Sequence, residues 1–90
     1  MLPKNRPPTH PGEVLNEEFL APKKMTQAQL ASALGVSVQT VNLLVNGKRS
    51  ITAETALGLA RVFKTTPLFW MNLQALFDLW HAARAINAHA

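Results

Sequence analysis

Gln27-Ala28-Gln29-Leu30-Ala31-Ser32-Ala33-Leu34-Gly35-Val36-Ser37-Val38-Gln39-Thr40-Val41-Asn42-Leu43-Leu44-Val45-Asn46 is the stretch that decides how the chain folds. Two short helices crossing at a steep angle need a small residue where their backbones touch, a residue tolerant of positive φ between them, and apolar side chains that lock the pair. Ala31 meets the first need, Gly35 the second, and Leu30, Val41 and Leu44 the third. The stretch reads as a helix-turn-helix, which makes double-stranded DNA the first candidate ligand.

The ends of both helices are written in the chain. Thr26 followed by Gln29 has the capping-box pattern, so Gln29 is read as completing a cap rather than as a contact. Gly35 stops that helix, Ser37 caps the next, and Asn46-Gly47 ends it with residues that accept left-handed backbone angles. The motif thus occupies residues 26–46.

With Val41 and Leu44 facing inward, Val38, Gln39, Asn42 and Leu43 face outward by elimination. The N-terminal part of the second helix of such a motif touches base edges, so Ser37, Val38, Gln39, Thr40 and Asn42 form the expected reading edge, with Leu43 beside it. Gln and Asn can each bond adenine bidentately, while Val and the Thr methyl suit the thymine methyl. No Arg or Lys lies between Ser37 and Gly47, which removes the commonest guanine contact and predicts half-sites that lean to A·T. Gln27 at the start of the first helix, and Lys48 and Arg49 after the second, are candidate phosphate contacts; the alternative for each is a solvated turn.

Working outward, Pro3, Pro7, Pro8 and Pro11 prevent regular structure early in the chain, which predicts a flexible basic arm over residues 1–10. A helix then starts at Pro11, with Glu13 at its positive end and Val14, Leu15 and Phe19 on its apolar face, and Pro22 ends it. Beyond the motif, Thr52 caps a helix in which Ala56, Leu59, Ala60 and Phe63 recur at i, i+3, i+4, i+7. Gly58 marks close packing there.

Thr66-Pro67 opens a last helix from Leu68 to about Ala85, the single domain closing near residue 86 and residues 87–90 forming a frayed tail. From Leu68 to Trp80 its only polar residues are Asn72, Gln74 and Asp78. A helix apolar nearly all round must be covered on more than one side, which points to a second copy and to Trp70, Leu73, Phe77 and Trp80 as the dimer interface. The expected class is all-α: a five-helix, repressor-like helix-turn-helix domain that dimerises through its C-terminal helix. If each copy lays its reading helix in the groove, half-site centres should lie about 34–36 Å apart or a multiple of that.

Composition permits this and excludes much else. Ninety residues, 48% apolar, suffice for one modest core, and a formal charge of +4 is compatible with nucleic acid. From Thr26 to Thr52 the chain carries Lys48 and Arg49 and no acid, whereas Glu13, Glu17 and Glu18 cluster on the first helix. The chain contains no cysteine, which fits a reducing cytoplasm and rules out thiolate chemistry. No apolar run approaches the roughly 20 residues of a membrane span. His10, His81 and His89 are scattered with no carboxylate at ligand spacing, Glu17 and Glu18 point about 100° apart on a helix, and there is no phosphate-binding glycine loop. No catalysis, metal, cofactor or small-molecule substrate is expected.

Several blocks together resemble the HigA-type antitoxins, within the larger XRE superfamily of repressor-like helix-turn-helix proteins. They are His10-Pro11-Gly12-Glu13, Glu17-Glu18-Phe19-Leu20, Thr26 to Gly35, Val41-Asn42, Val45-Asn46-Gly47-Lys48-Arg49, Ile51-Thr52-Ala53, Phe69-Trp70-Met71-Asn72-Leu73-Gln74 and Asp78-Leu79-Trp80. The resemblance implies an antitoxin that binds a ribosome-dependent, mRNA-cleaving toxin of the HigB/RelE-like kind. It also implies repression of the operon encoding both, through a homodimer on a palindromic operator and with the C-terminal region forming the dimer. Glu13, Glu17 and Glu18 would then meet the basic toxin; the alternative is a solvated helix face. Many relatives carry arginines in the reading helix where this chain has Val38 and Thr40, so their operator sequences do not transfer. A stand-alone dimeric repressor without a toxin is a second reading, and an interaction scaffold with a disused DNA motif, which would need an inert reading edge, is a third.

Overall fold

A computed structural model describes residues 7–88, and the described chain is all-helical. We number its helices α1 (residues 11–23), α2 (Gln27–Leu34), α3 (Val38–Val45), α4 (Ala53–Phe63) and α5 (Pro67–Ala88). Residues 1–6 of the expected basic arm and residues 89–90 of the expected tail lie outside the described residues. α5 runs on to Ala88, past the end near Ala85 read from the sequence.

The caps form as the side chains dictate. Thr26 Oγ1 accepts the Gln29 N–H at 3.0 Å while Gln29 Oε1 accepts the Thr26 N–H at 2.8 Å, a reciprocal capping box. Ser37, Thr52 and Thr66 each accept the N–H three residues on. Gly35, at φ 73°, ends α2 in the left-handed region, and α2 and α3 are bent 115° apart, within the range of a helix-turn-helix. Of the pair that ends α3, Gly47 takes the left-handed angle while Asn46 stays at φ −91°.

α1 departs from expectation. Pro11–Val14 is α-helical, Leu15–Leu20 is a π-helix, and Ala21–Lys23 returns to α. The wider turn lies directly ahead of Pro22, where an ordinary α-turn would press the proline ring against the Glu18 carbonyl. The helix therefore passes Pro22 and ends at Lys23, with Lys24 in the left-handed region at φ 53°.

One core holds the five helices together. Leu15 and Leu20 of α1, Leu30 and Ala31 of α2, Val41 and Leu44 of α3, Ile51, and Ala56, Leu59 and Phe63 of α4 are all buried. α1 and α3 touch backbone to backbone: a Cβ on Gly12 would overlap the Leu44 carbonyl. A Cβ on Gly58 would lie 2.8 Å from Leu34 Cδ2, the close packing expected there. Arg61 closes the α2/α4 junction by donating to the Ala33 carbonyl at 3.2 Å.

α5 requires a correction. Trp70, expected at a dimer interface, is fully buried within the single chain, its indole N–H donating to Thr65 Oγ1 at 2.7 Å. Leu73, expected beside it, is half-buried and packs against the core; Phe77 and Trp80 are half-buried outside that core, Phe77 against His10 with ring centroids 4.8 Å apart. Tryptophan and phenylalanine bury the most apolar area per residue, so a small core recruits them first. The opposite face is the uncovered one. Leu68, Asn72, Ala75, Leu79, Ala82 and Ile86 are exposed in alternating steps of four and three, with Leu76 alongside, which is the spacing of a coiled-coil seam.

Candidate nucleic-acid interface

The motif offers its outer face to solvent. Val38, Gln39 and Asn42 of α3 are exposed, and Leu43 is half-buried. Thr40 is turned aside: it is half-buried, its hydroxyl lies 2.9 Å from that of Ser37, and it lines a groove with Arg49, Thr52 and Thr55 of the α4 side. The Ser37 oxygen is engaged in the α3 cap, accepting the Thr40 N–H at 3.1 Å. The polar side chains most open to a groove are therefore Gln39 and Asn42, with Val38 as an apolar neighbour.

Gln27, at the first position of α2, reaches across to α3: Asn42 Nδ2 donates to Gln27 Oε1 at 3.2 Å. The pair was not legible in the sequence, where the residues stand fifteen apart. Lys48 and Arg49 are both exposed in the turn after α3, and the Lys48 N–H donates to the Leu43 carbonyl at 2.9 Å, pinning that turn to the helix. Arg49 leans toward α4, in the groove that Thr40 lines. Glu13, Glu17 and Glu18 are exposed on α1.

Two residues that support this surface were missed. His10 belongs to the domain rather than to an arm: its Nδ1 accepts the Gly12 N–H at 2.8 Å and caps α1, and its ring lies under Gly47 at the end of α3. A residue directly before a proline at the first helical position occupies the cap slot, which was the available signal. Gln74, buried in α5, accepts the Ile51 N–H at 2.7 Å and donates to Asp78 at 2.9 Å, tying α5 to the segment before α4. Its signal was a polar i, i+4 pair in an apolar helix.

Burial holds the His10 pKa below its ordinary 6.5, against the opposing pull of Asp78 on α5 and Glu13 on α1. Protonation would also remove the Nδ1 lone pair that caps α1. A depressed histidine pKa contributes stability that is present above pH 6.5 and lost as pH falls through the folded value. Thermal midpoints should therefore stay level above pH 6.5 and fall below it. His10→Asn, which keeps a cap acceptor and does not titrate there, should flatten that fall; an equally steep fall in the variant would assign it to other groups.

A helix-turn-helix family model matches residues 17–70. Antitoxin HigA-1 of Vibrio cholerae is 44% identical over 80 residues, covering 89% of this chain and 75% of that protein. The chain belongs to the HigA-type helix-turn-helix family. Another relative, from Haemophilus influenzae, is an uncharacterized HTH-type transcriptional regulator, 49% identical over 75 residues that cover 83% of this chain and 70% of that protein. Among solved structures, the Pseudomonas aeruginosa antitoxin HigA with the higBA promoter superposes with a TM-score of 0.87 at 45% identity, covering 91% of this chain and 89% of that one. The motif core lies inside the family match, whereas the α1 cap at His10 and the exposed seam of α5 beyond Trp70 lie outside it.

Among the described residues no group of three or more His, Asp or Glu could hold a metal ion. No single described helix is long and apolar enough to cross a membrane.

Proposed function

We propose that this HigA-type protein is a cytoplasmic, dimeric antitoxin that binds operator DNA through α3 and represses the operon encoding it and a RelE-like, mRNA-cleaving toxin. The observation that carries the DNA half is the outer face of α3, where Gln39 and Asn42 stand open to a major groove above a fully capped and packed motif. It is supported by the likeness to a HigA solved with its promoter. The dimer is formed by a second copy laid along α5, supported by the heptad-like steps of Leu68, Asn72, Ala75, Leu79, Ala82 and Ile86. Asn72 in such a seam specifies register. The toxin partner is a basic, RNA-cleaving protein, and Glu13, Glu17 and Glu18 give α1 the complementary charge. No catalytic role is assigned to any residue.

Footprinting on the gene's own promoter at several salt concentrations tests the DNA half. Lys48→Ala should weaken binding to all sequences alike and lower the salt slope by about one; an unchanged slope removes Lys48 from the phosphate contacts. Co-expression with a small basic reading frame beside the gene tests the other half, growth being restored if the pair is toxin and antitoxin. The likeness to an HTH-type transcriptional regulator supports a second reading, a stand-alone repressor. Promoter binding without neutralisation of any adjacent product would favour it.

A further inference from the structure

The 3.2 Å bond from Asn42 Nδ2 to Gln27 Oε1 joins the two helices of the motif on the face that would meet DNA. Neighbouring amides have other duties: Gln29 is committed to the α2 cap and Asn46 Nδ2 donates to the Asn42 carbonyl at 2.8 Å. An exposed asparagine without a tether turns freely about its last torsion and can offer either its oxygen or its NH2 group. Asn42 is not free in this way.

We infer that Gln27 is a positioning residue that makes Asn42 select adenine and reject guanine, an assignment that rests on the DNA-reading role proposed above. A carboxamide has two N–H donors and one oxygen acceptor. With one donor spent on Gln27, Asn42 keeps one N–H and its oxygen. Adenine presents N7 as acceptor and N6 as donor in the major groove, which uses that pair in full. Guanine presents two acceptors, N7 and O6, and needs two donors. The tether withholds the second. Gln27 Nε2 meanwhile keeps both N–H groups for a phosphate oxygen, so one side chain links backbone contact to base choice.

The test is selection by the whole protein from duplexes with a randomised core, run for the wild type, Gln27→Met, Gln27→Glu and Asn42→Ala, with thermal melts to establish that each variant is folded. The wild type should prefer adenine over guanine by roughly tenfold or more at one position per half-site, and Asn42→Ala should flatten that position. Gln27→Met, similar in size but without the amide acceptor, should still bind while the same preference falls to within about threefold, the gain going to guanine. Gln27→Glu keeps an acceptor oxygen and should retain the preference while its charge weakens every sequence alike. If Gln27→Met weakens all sequences equally and leaves the adenine preference intact, Gln27 is a phosphate contact alone and the inference fails. It fails as well if Asn42→Ala changes no position. A folded wild type that enriches no sequence would instead overturn the DNA-reading role itself.

Discussion

Changing Leu76 and Leu79 together to glutamine should turn the proposed dimer into a monomer and lower its affinity for a two-half-site operator by about a hundredfold or more. The two side chains are 40% and 56% exposed and lie on the uncovered face of α5, so the single chain loses little packing. What is lost is the linkage of two half-site contacts into one event, an effect of about 10²–10⁴ in affinity. Glutamine leaves the net charge untouched, which keeps the phosphate attraction out of the comparison. Sedimentation would read the change in mass, and titration against one and two half-sites would separate dimer loss from damage to α3. A variant that remains dimeric would move the interface elsewhere. Unchanged single-half-site affinity is expected, because α3 lies outside the altered seam.

Gly12→Ala should cost several kcal/mol, enough to leave much of the chain unfolded at moderate temperature. The added methyl would overlap the Leu44 carbonyl, and a backbone carbonyl cannot rotate away as a side chain can. α1 and α3 would have to separate, opening the core to which Leu15, Val41 and Leu44 belong. Overpacking typically costs about 1–3 kcal/mol where side chains can yield, and more where they cannot. A domain of this size has roughly 5–13 kcal/mol of stability in total. Chemical denaturation would measure the loss. A midpoint unchanged from wild type would mean that α1 shifts freely over α3, contrary to the close approach.

These two outcomes mark where the sequence was legible. The motif is local: a cap needs a Thr or Ser and a partner three residues on, and a left-handed stop needs Gly35, so spacing along the chain carries the information. Leu30, Val41 and Leu44 were read as the apolar residues that lock the motif and are buried in the core. α5 failed for the converse reason. A helix apolar on all sides has no polar face to orient it, so periodicity cannot say which stripe packs inward. Of the four residues read as the interface, Trp70 is drawn into the core and Leu73 packs against it, while Phe77 and Trp80 stay half-buried on that side of the helix.

What His10, Gly12 and Gln74 touch was illegible for another reason: those partners lie far away in sequence. His10 reaches Phe77, Gly12 meets Leu44 and Gln74 reaches Ile51. The sequence by itself determined the helices after α1, the caps at Thr26, Ser37 and Thr52, the helix-turn-helix and the outward placement of Gln39 and Asn42, because each depends on residues within one or two turns. Tertiary structure alone decided the π-helical course of α1, the inward face of α5 and the pairing of Gln27 with Asn42. Each of those depends on which surfaces the packed helices leave free, and that is settled only when the whole core closes.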